Sequence, residues 1–246
     1  MQLSSPAGRV PAGTAGLLAL LSRSPWPALT QYGRPDGGGS PSVGTSGAAP
    51  LERVELSGKV IAQWAYKCAN LLWEEGLGPG DLVALDVSPS WRAVPWALGT
   101  WLQGLTLSTT PDPAAQVTVT DLPGGAVGDL VVALTPDPLA LAWEGDLPPG
   151  VLDGAADVAG QADLPLGAVA AAEGDVALAD AGIRYGDLDE VIGLGSGTRR
   201  LVEPTSTWDL VRRCAAAWRS GGSVVVVHGA SAEQLVRIRA QEGLTP

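Results

Sequence analysis

Two stretches of this chain, LVALDV at 82–87 and SVVVV at 223–227, carry almost no polar alternation, and each lies between segments of helical periodicity. A strand with apolar residues on both faces must be covered on both faces, as in a parallel sheet flanked by helices. From Ser57 to Gly76 the apolar residues Val60, Ile61, Trp64, Ala65, Cys68, Leu71 and Leu72 recur at helical spacing. Gly76-Leu-Gly-Pro-Gly80 stops that helix, and the strand at 82–87 follows. Ser90 is placed to cap a second helix ending near Gln103-Gly104, and LTLST (105–109), QVTVT (116–120) and DLVVAL (129–134) are further strands. After a short strand at Leu201–Glu203, Ser206 and Asp209 in capping-box spacing open a helix striped by Leu210, Val211, Cys214, Ala215 and Trp218. Gly221-Gly222 ends it, and beyond 227 Ser231 and Gln234 open the last helix. The pattern specifies an α/β fold with a mostly parallel sheet flanked by helices.

Two units of this pattern are alike. SPSW (88–91) and TSTW (205–208) each follow a strand and open a helix, with a second tryptophan ten residues on (Trp101, Trp218) and a glycine three further (Gly104, Gly221). They read as two copies of one β-loop-α-β device in a single sheet system, their tryptophans serving as core anchors. Residues 1–50 form an N-terminal segment whose stretch 33–50, with six glycines and three prolines, reads as a flexible loop. Ordered structure is expected from Leu51. Residues 51–246 then form one α/β domain, with similar sub-units at 51–134 and 185–246 joined by an acidic stretch.

Charge restricts the function. The net charge is −11, and no basic residue lies between Arg92 and Arg184. From Asp112 to Glu190 there are 15 acidic residues against Arg184 alone. Such a stretch reads as a solvated, loop-rich face; the sharper reading is a docking surface for a basic partner. Nucleic acid is not expected to bind a chain of this sign. Cys68 and Cys214 form no CxxC pair and His228 is the one histidine, so a zinc site is excluded. No stretch has the length and apolarity of a membrane span, and a cytoplasmic protein is expected.

Ligands of open parallel sheets bind beyond the carboxyl ends of the strands. The loops there are Asp86–Trp91, Glu203–Trp208 and His228–Ser231, and they offer Asp86, Ser88, Ser90, Thr205, Ser206, Thr207 and His228 as candidate ligand-binding residues. The same hydroxyls also serve as helix caps, and His228 has no nucleophile motif beside it. GLGSGTRR (193–200) lacks P-loop spacing and reads as a turn at the opposite edge of the sheet.

The segment 51–109 carries Gly76, Gly80-Asp81, Val83-Ala84 and the Gly104-to-Asp112 phrase; PWPALTQYG precedes it at 25–33, and 204–245 contains Trp218-Arg-Ser-Gly-Gly-Ser-Val-Val-Val. Together these resemble the amino-terminal part of AMP-forming acyl-CoA synthetases, the acyl-adenylate superfamily, and in particular a shortened actinobacterial subgroup. The resemblance spans about two thirds of the chain and implies the first portion of the large domain of such an enzyme, with 25–33 as its first short strand. That family carries a phosphate-binding loop rich in Ser, Thr and Gly and closing with Pro-Lys. The corresponding stretch here is EGDVALADAGIRYGDLDEVI (173–192), with neither the hydroxyl–glycine cluster nor a lysine. The family's adenine- and ribose-binding motifs and its lysine-bearing C-terminal domain have no counterpart in these 246 residues. Adenylation gathers negative charge on phosphorus and needs cations to stabilise it. The resemblance therefore implies a degenerate, non-catalytic relative that binds a small molecule or a protein partner, without ATP or Mg²⁺ and with no catalytic residue carried over. The alternative it leaves is an acyl-activating component completed by another chain. Self-association is expected from apolar surface that a longer relative would cover.

Overall fold

A computed structural model of the protein describes residues 12–33 and 51–244. The elements run α1 (Gly13–Leu21), β1 (Pro27–Gly33), β2 (Glu52–Ser57), α2 (Gly58–Glu74), β3 (Leu82–Asp86), α3 (Ala93–Leu102), β4 (Thr106–Ser108), β5 (Val117–Thr120) and β6 (Leu130–Ala133). There follow β7 (Val151–Asp153), α4 (Ala156–Ala159), β8 (Val176–Leu178), β9 (Ile183–Arg184), α5 (Tyr185–Ile192), β10 (Arg199–Val202), α6 (Thr207–Arg219), β11 (Ser223–Val227) and α7 (Ala232–Gln241). They build two sheets. One has seven strands in the order β7-β6-β5-β3-β4-β8-β9, parallel except for β9; the other has four in the order β10-β11-β1-β2, parallel except for β2.

The main core fills the space between the sheets, with α1, α2, α3 and α6 in its middle layer. Val83, Leu85, Val117, Val119 and Val132 enter it from the larger sheet, and Leu29, Val224 and Val226 from the smaller one. The alternate residues of β11, Val225 and Val227, face the other way and pack with Tyr32 and Ile238 beneath α7. Both faces of β11 are thus covered, which is why its sequence shows no alternation. Helices α2 and α3 touch backbone to backbone: a Cβ on Gly99 would lie 2.8 Å from the Ala65 oxygen and 2.9 Å from the Ala69 nitrogen. The tryptophans are anchors. Trp91, Trp96, Trp101 and Trp218 are buried, the Trp101 and Trp218 indoles donating to the carbonyls of Ala177 and Ala28 at 2.9 Å each.

Three expectations change. Ordered structure begins well before Leu51: Leu17, Leu18 and Leu21 of α1 are buried in the main core, and β1 is an interior strand of the smaller sheet. Burial of an amphipathic turn and seven strand residues outweighs the loop composition that follows them. The loop expected at 33–50 lies, beyond Gly33, outside the described residues. The two β-loop-α-β devices both exist, as β3–α3–β4 and β10–α6–β11, but in different sheets whose helices α3 and α6 meet in the shared core. The Trp101 and Trp208 rings pack edge to face there, 6.2 Å apart. Finally, Ser90 does not cap α3. Its carbonyl accepts from Ala93 N at 3.1 Å in a turn, so the helix starts later, with Arg92 at its N-cap and no capping side chain.

Between β6 and β8 the acidic stretch holds one short strand and one helical turn. It is tied down by side chains of the middle layer. The fully buried Asn70 donates to the carbonyls of Ala162 and Leu164 and accepts from Leu166 N, while Gln103 donates to Gly167 O at 2.7 Å. Among the described residues no helix is long and apolar enough to cross a membrane.

Candidate functional site

The carboxyl ends of the two sheets converge on one cleft of about 370 Å³. The larger sheet contributes the loop after β3 (Val87 to Ser90), Asp121 after β5, and Leu134 to Pro136 after β6. The smaller sheet contributes Gln31 and Gly33 of β1, Glu203 and Pro204 after β10, and Val227 to Gly229 at the end of β11. β3, β5 and β6 run parallel in the larger sheet and β10, β11 and β1 in the smaller one, so the carboxyl ends of each set lie on one edge of its sheet.

Of the residues the sequence nominated, Ser88, Ser90 and His228 line this cleft. Asp86 is the last residue of β3 and half-buried, and it is not part of the lining. The other three hold the entry to α6. Ser206 Oγ accepts from Asp209 N at 3.1 Å, Thr207 donates to Val87 O at 2.7 Å, and Thr205 N donates to the Asp209 carboxylate at 3.3 Å. The Thr207 hydroxyl thus joins the two sheets' loops, while those of Ser206 and Thr205 are used within the entry to α6.

Four lining polar residues were not anticipated. Asp121, Thr135 and Glu203 each sit directly beyond a strand's carboxyl end, so the rule that found Ser88 also applies to them. Gln31 lies inside β1, the strand the resemblance implies at 25–33, but nothing in the sequence singles it out as a lining residue.

His228 N donates to Tyr32 O at 3.0 Å, continuing the ladder, while its ring meets the cleft. Burial holds the imidazole below its ordinary pKa, so it is neutral at pH 7, and Nε2 is buried with no hydrogen-bond partner among the described residues. Gln31 Oε1 accepts from Trp91 N at 2.7 Å, which aligns the β3–α3 loop against β1. Asp121 accepts from Ser88 N at 2.9 Å, and Thr135 Oγ1 accepts from Asp137 N at 3.3 Å. Among the residues lining the cleft none is Lys or Arg, and two are carboxylates. Arg92 lies just beyond the β3 loop but is buried and stacked 4.6 Å over the Trp91 ring, with Nη2 donating to Ala140 O at 2.5 Å. Burial lowers its pKa to about 10, and it remains a cation at neutral pH.

At the same edge of the larger sheet, β8 and β9 are joined by only four residues, Ala179 to Gly182. Asp180 accepts from Ser108 Oγ (2.6 Å), Thr109 N (2.7 Å), Thr109 Oγ1 (2.6 Å) and Thr110 Oγ1 (3.1 Å). Burial opposes its ionisation, but these hydrogen bonds prevail and its pKa is lowered. Among the described residues no cluster of three or more His, Cys, Asp or Glu is arranged to hold a metal ion.

No protein-family model matches the sequence, and no curated protein matches it. Solved structures do share its fold. The chain is similar to the amide bond synthetase McbA of Marinactinospora thermotolerans at 16% identity and a TM-score of 0.63, covering 94% of this chain and 47% of that one. A Brucella canis acyl-CoA synthetase matches at 18% identity and a TM-score of 0.67, over 97% and 48%. The N-terminal subdomain of Klebsiella oxytoca NpsA, solved with 3-hydroxybenzoyl-AMSN, matches at 14% identity and a TM-score of 0.62, over 98% and 61%. The fold is that of the N-terminal part of the AMP-forming synthetases, and the chain spans about half the length of the first of these structures.

Proposed function

We propose that this chain is a non-catalytic relative of the AMP-forming acyl-CoA synthetases that binds a small neutral or cationic molecule in the cleft between its two sheets. The observation that carries the reading is the electrostatic character of the carboxyl edge. Where the resemblance places a phosphate-binding loop, the chain has a four-residue hairpin, and its one charged group, Asp180, is spent on Ser108–Thr110. The adjoining cleft presents Asp121 and Glu203 and no cation. These residues do not fit a nucleoside triphosphate with its magnesium-bridged phosphates, whose charge calls for Lys, Arg and converging N–H groups. They fit a ligand that donates hydrogen bonds: the neutral His228 has a ring nitrogen, Nε2, without a partner among the described residues, and the carboxylates of Asp121 and Glu203 line the same cleft.

The test is calorimetric titration with ATP and Mg²⁺, together with a thermal-shift panel of neutral and monocationic small molecules. The expected result is no heat with ATP and a rise in Tm with members of the panel, reduced in Glu203→Gln and His228→Ala. Sub-micromolar ATP binding would overturn the proposal.

A second reading has its own support. The chain spans 26–61% of its structural neighbours, and Leu122, Leu139 and Leu141 are exposed in the loops beside the cleft. An acyl-activating component completed by another chain, or a self-associating one, would present such a surface. Pyrophosphate exchange across carboxylic acids by the purified chain, with light scattering of the same sample, separates the readings. Steady exchange favours the enzyme, and a strict monomer without exchange favours the binding protein.

A further inference from the structure

Resting on the reading of the cleft as a site for a small neutral or cationic molecule, we infer that its ligand carries an un-ionised carboxamide, whose carbonyl oxygen enters a notch at Gly33 and accepts from Gln31 Nε2. The notch is a product of strand register. Along β1, Leu29, Gln31 and Gly33 fall on one face of the smaller sheet. Leu29 enters the main core, as do Val224 and Val226 of β11, and Gln31 lies in register with Val226. Two residues further along each strand, Gly33 comes beside His228. A side chain there would separate Gln31 from His228, and glycine has none. A Cβ on Gly33 would lie 3.8 Å from Gln31 Nε2 and 4.0 Å from His228 Cδ2. Both are ordinary contact distances, so the notch has room for an atom of that size. Strands β1 and β11 are each paired on both sides, which fixes these walls inside the sheet.

The polar groups beside the notch are oriented. Gln31 is buried, and its Oε1 is taken by Trp91 N at 2.7 Å. That bond turns Nε2 the other way and leaves it without an acceptor among the described residues. A buried donor without a partner is costly, and an oxygen seated in the notch would pair it. His228 Nε2, bonded to the carbon that borders the notch, is also buried without a partner.

Charge and hydrogen-bonding capacity then select the ligand. Asp121 and Glu203 line the cleft and no Lys or Arg does, so a carboxylate is repelled. An ammonium group suits the carboxylates but offers Gln31 no acceptor. A carboxamide supplies both, its carbonyl accepting from Gln31 and its N–H donating to a carboxylate. Val87, Leu134, Val227, Pro89, Pro136 and Pro204 give the cleft apolar walls for the rest of the molecule.

His228 is the one histidine of the chain, so its imidazole nitrogen resonances report on this place alone. The test follows them while the isotopically labelled full chain is titrated with benzamide, benzoate or benzylamine. Benzamide is expected to shift them saturably, and benzoate to bind about tenfold more weakly or worse, as the loss of one hydrogen bond requires. Gln31→Glu keeps an acceptor for Trp91 N but removes the donor, and is expected to weaken benzamide by about tenfold. Gly33→Ala needs no unusual backbone and places its methyl in the notch without a clash. It is expected to abolish benzamide binding with an unchanged melting curve. Benzamide that leaves the His228 resonances unmoved, benzoate that binds equally well, or Gly33→Ala that binds benzamide like the unaltered chain would each overturn the notch. Benzylamine binding without benzamide binding would overturn it and leave the broader reading of the cleft standing, whereas sub-micromolar ATP binding would remove both.

Discussion

Glu242, at the C-terminus of α7, is clasped by Tyr32 and two arginines, and replacing it by glutamine isolates its contribution. Its side chain is 5% exposed and accepts from Tyr32 OH (2.5 Å), Arg53 Nε (2.9 Å) and Arg199 Nη2. Burial opposes its ionisation, but hydrogen bonds from Arg53, Tyr32 and Arg199 prevail and lower its pKa from 4.5 to about 2. Each tenfold change in an ionisation constant is worth about 1.4 kcal/mol, so the upper bound is about 3 kcal/mol at neutral pH. Arg53 is 35% solvent-exposed, and screening reduces the expectation to roughly 2 kcal/mol. The sign follows from the direction of the shift. A carboxylate whose folded pKa is depressed stabilises fully above its unfolded value near 4.5, and that stabilisation fades as pH falls toward about 2. Glu242→Gln is therefore expected to lose about 2 kcal/mol at pH 7 but only about 1 kcal/mol at pH 3.5. Urea titrations at both pH values, read by tryptophan fluorescence, measure this difference. A deficit that is absent at pH 7, or that does not shrink at pH 3.5, would refute the reasoning, because the clasp would then not be held by charge.

Trp101→Ala removes a buried ring, its bond to Ala177 O and its edge contact with Trp208, and is expected to cost about 3–5 kcal/mol in denaturant titration. Gly99→Ala forces a methyl group against the α2 backbone and is expected to cost about 1–3 kcal/mol, with unchanged far-UV circular dichroism in the folded state. Asp180→Ala leaves Ser108, Thr109 and Thr110 without their shared acceptor; the expected loss is about 2 kcal/mol at neutral pH, becoming smaller in acid because the folded pKa is depressed. Faster amide exchange confined to residues 108–110 and 179–182 would accompany it. Asn70→Leu removes three hydrogen bonds to residues 162–166, and limited proteolysis should then cut that segment while sparing the sheets.

How much of this was legible depends on how locally each feature is specified. Strand β11 and helix α6 are written in their own residues: the run 223–227 matches the strand end for end, and Ser206 caps as its spacing requires. The division into two sheets is not local. Helices α3 and α6 bury apolar stripes of similar length, and nothing in either stripe says that the partner surface is the other helix rather than one continuous sheet. Similarly, α1 buries Leu17, Leu18 and Leu21, yet nine residues before a glycine-rich stretch carry too weak a period to be separated from it. The cleft was half-legible. Its hydroxyls and His228 follow from strand ends, whereas Gln31 is placed there only because β1 inserts between β11 and β2.

The β8–β9 hairpin shows how the fold tolerates a short connection where the resemblance calls for a long phosphate loop. The end of β4 presents Thr109 N and the hydroxyls of Ser108, Thr109 and Thr110 to this hairpin. Asp180 satisfies all of them from within a four-residue turn. The residue that ties the short hairpin to the end of β4 therefore also places a carboxylate at the carboxyl edge of the larger sheet. It follows that Asp180→Asn, which keeps one acceptor oxygen and removes the charge, should retain more of the stability than Asp180→Ala while still binding no ATP, since the cleft carboxylates Asp121 and Glu203 remain and no cation is gained. If calorimetry showed ATP binding in Asp180→Asn, a single charge would be what excludes the nucleotide, and the missing lysine and hydroxyl cluster would not be.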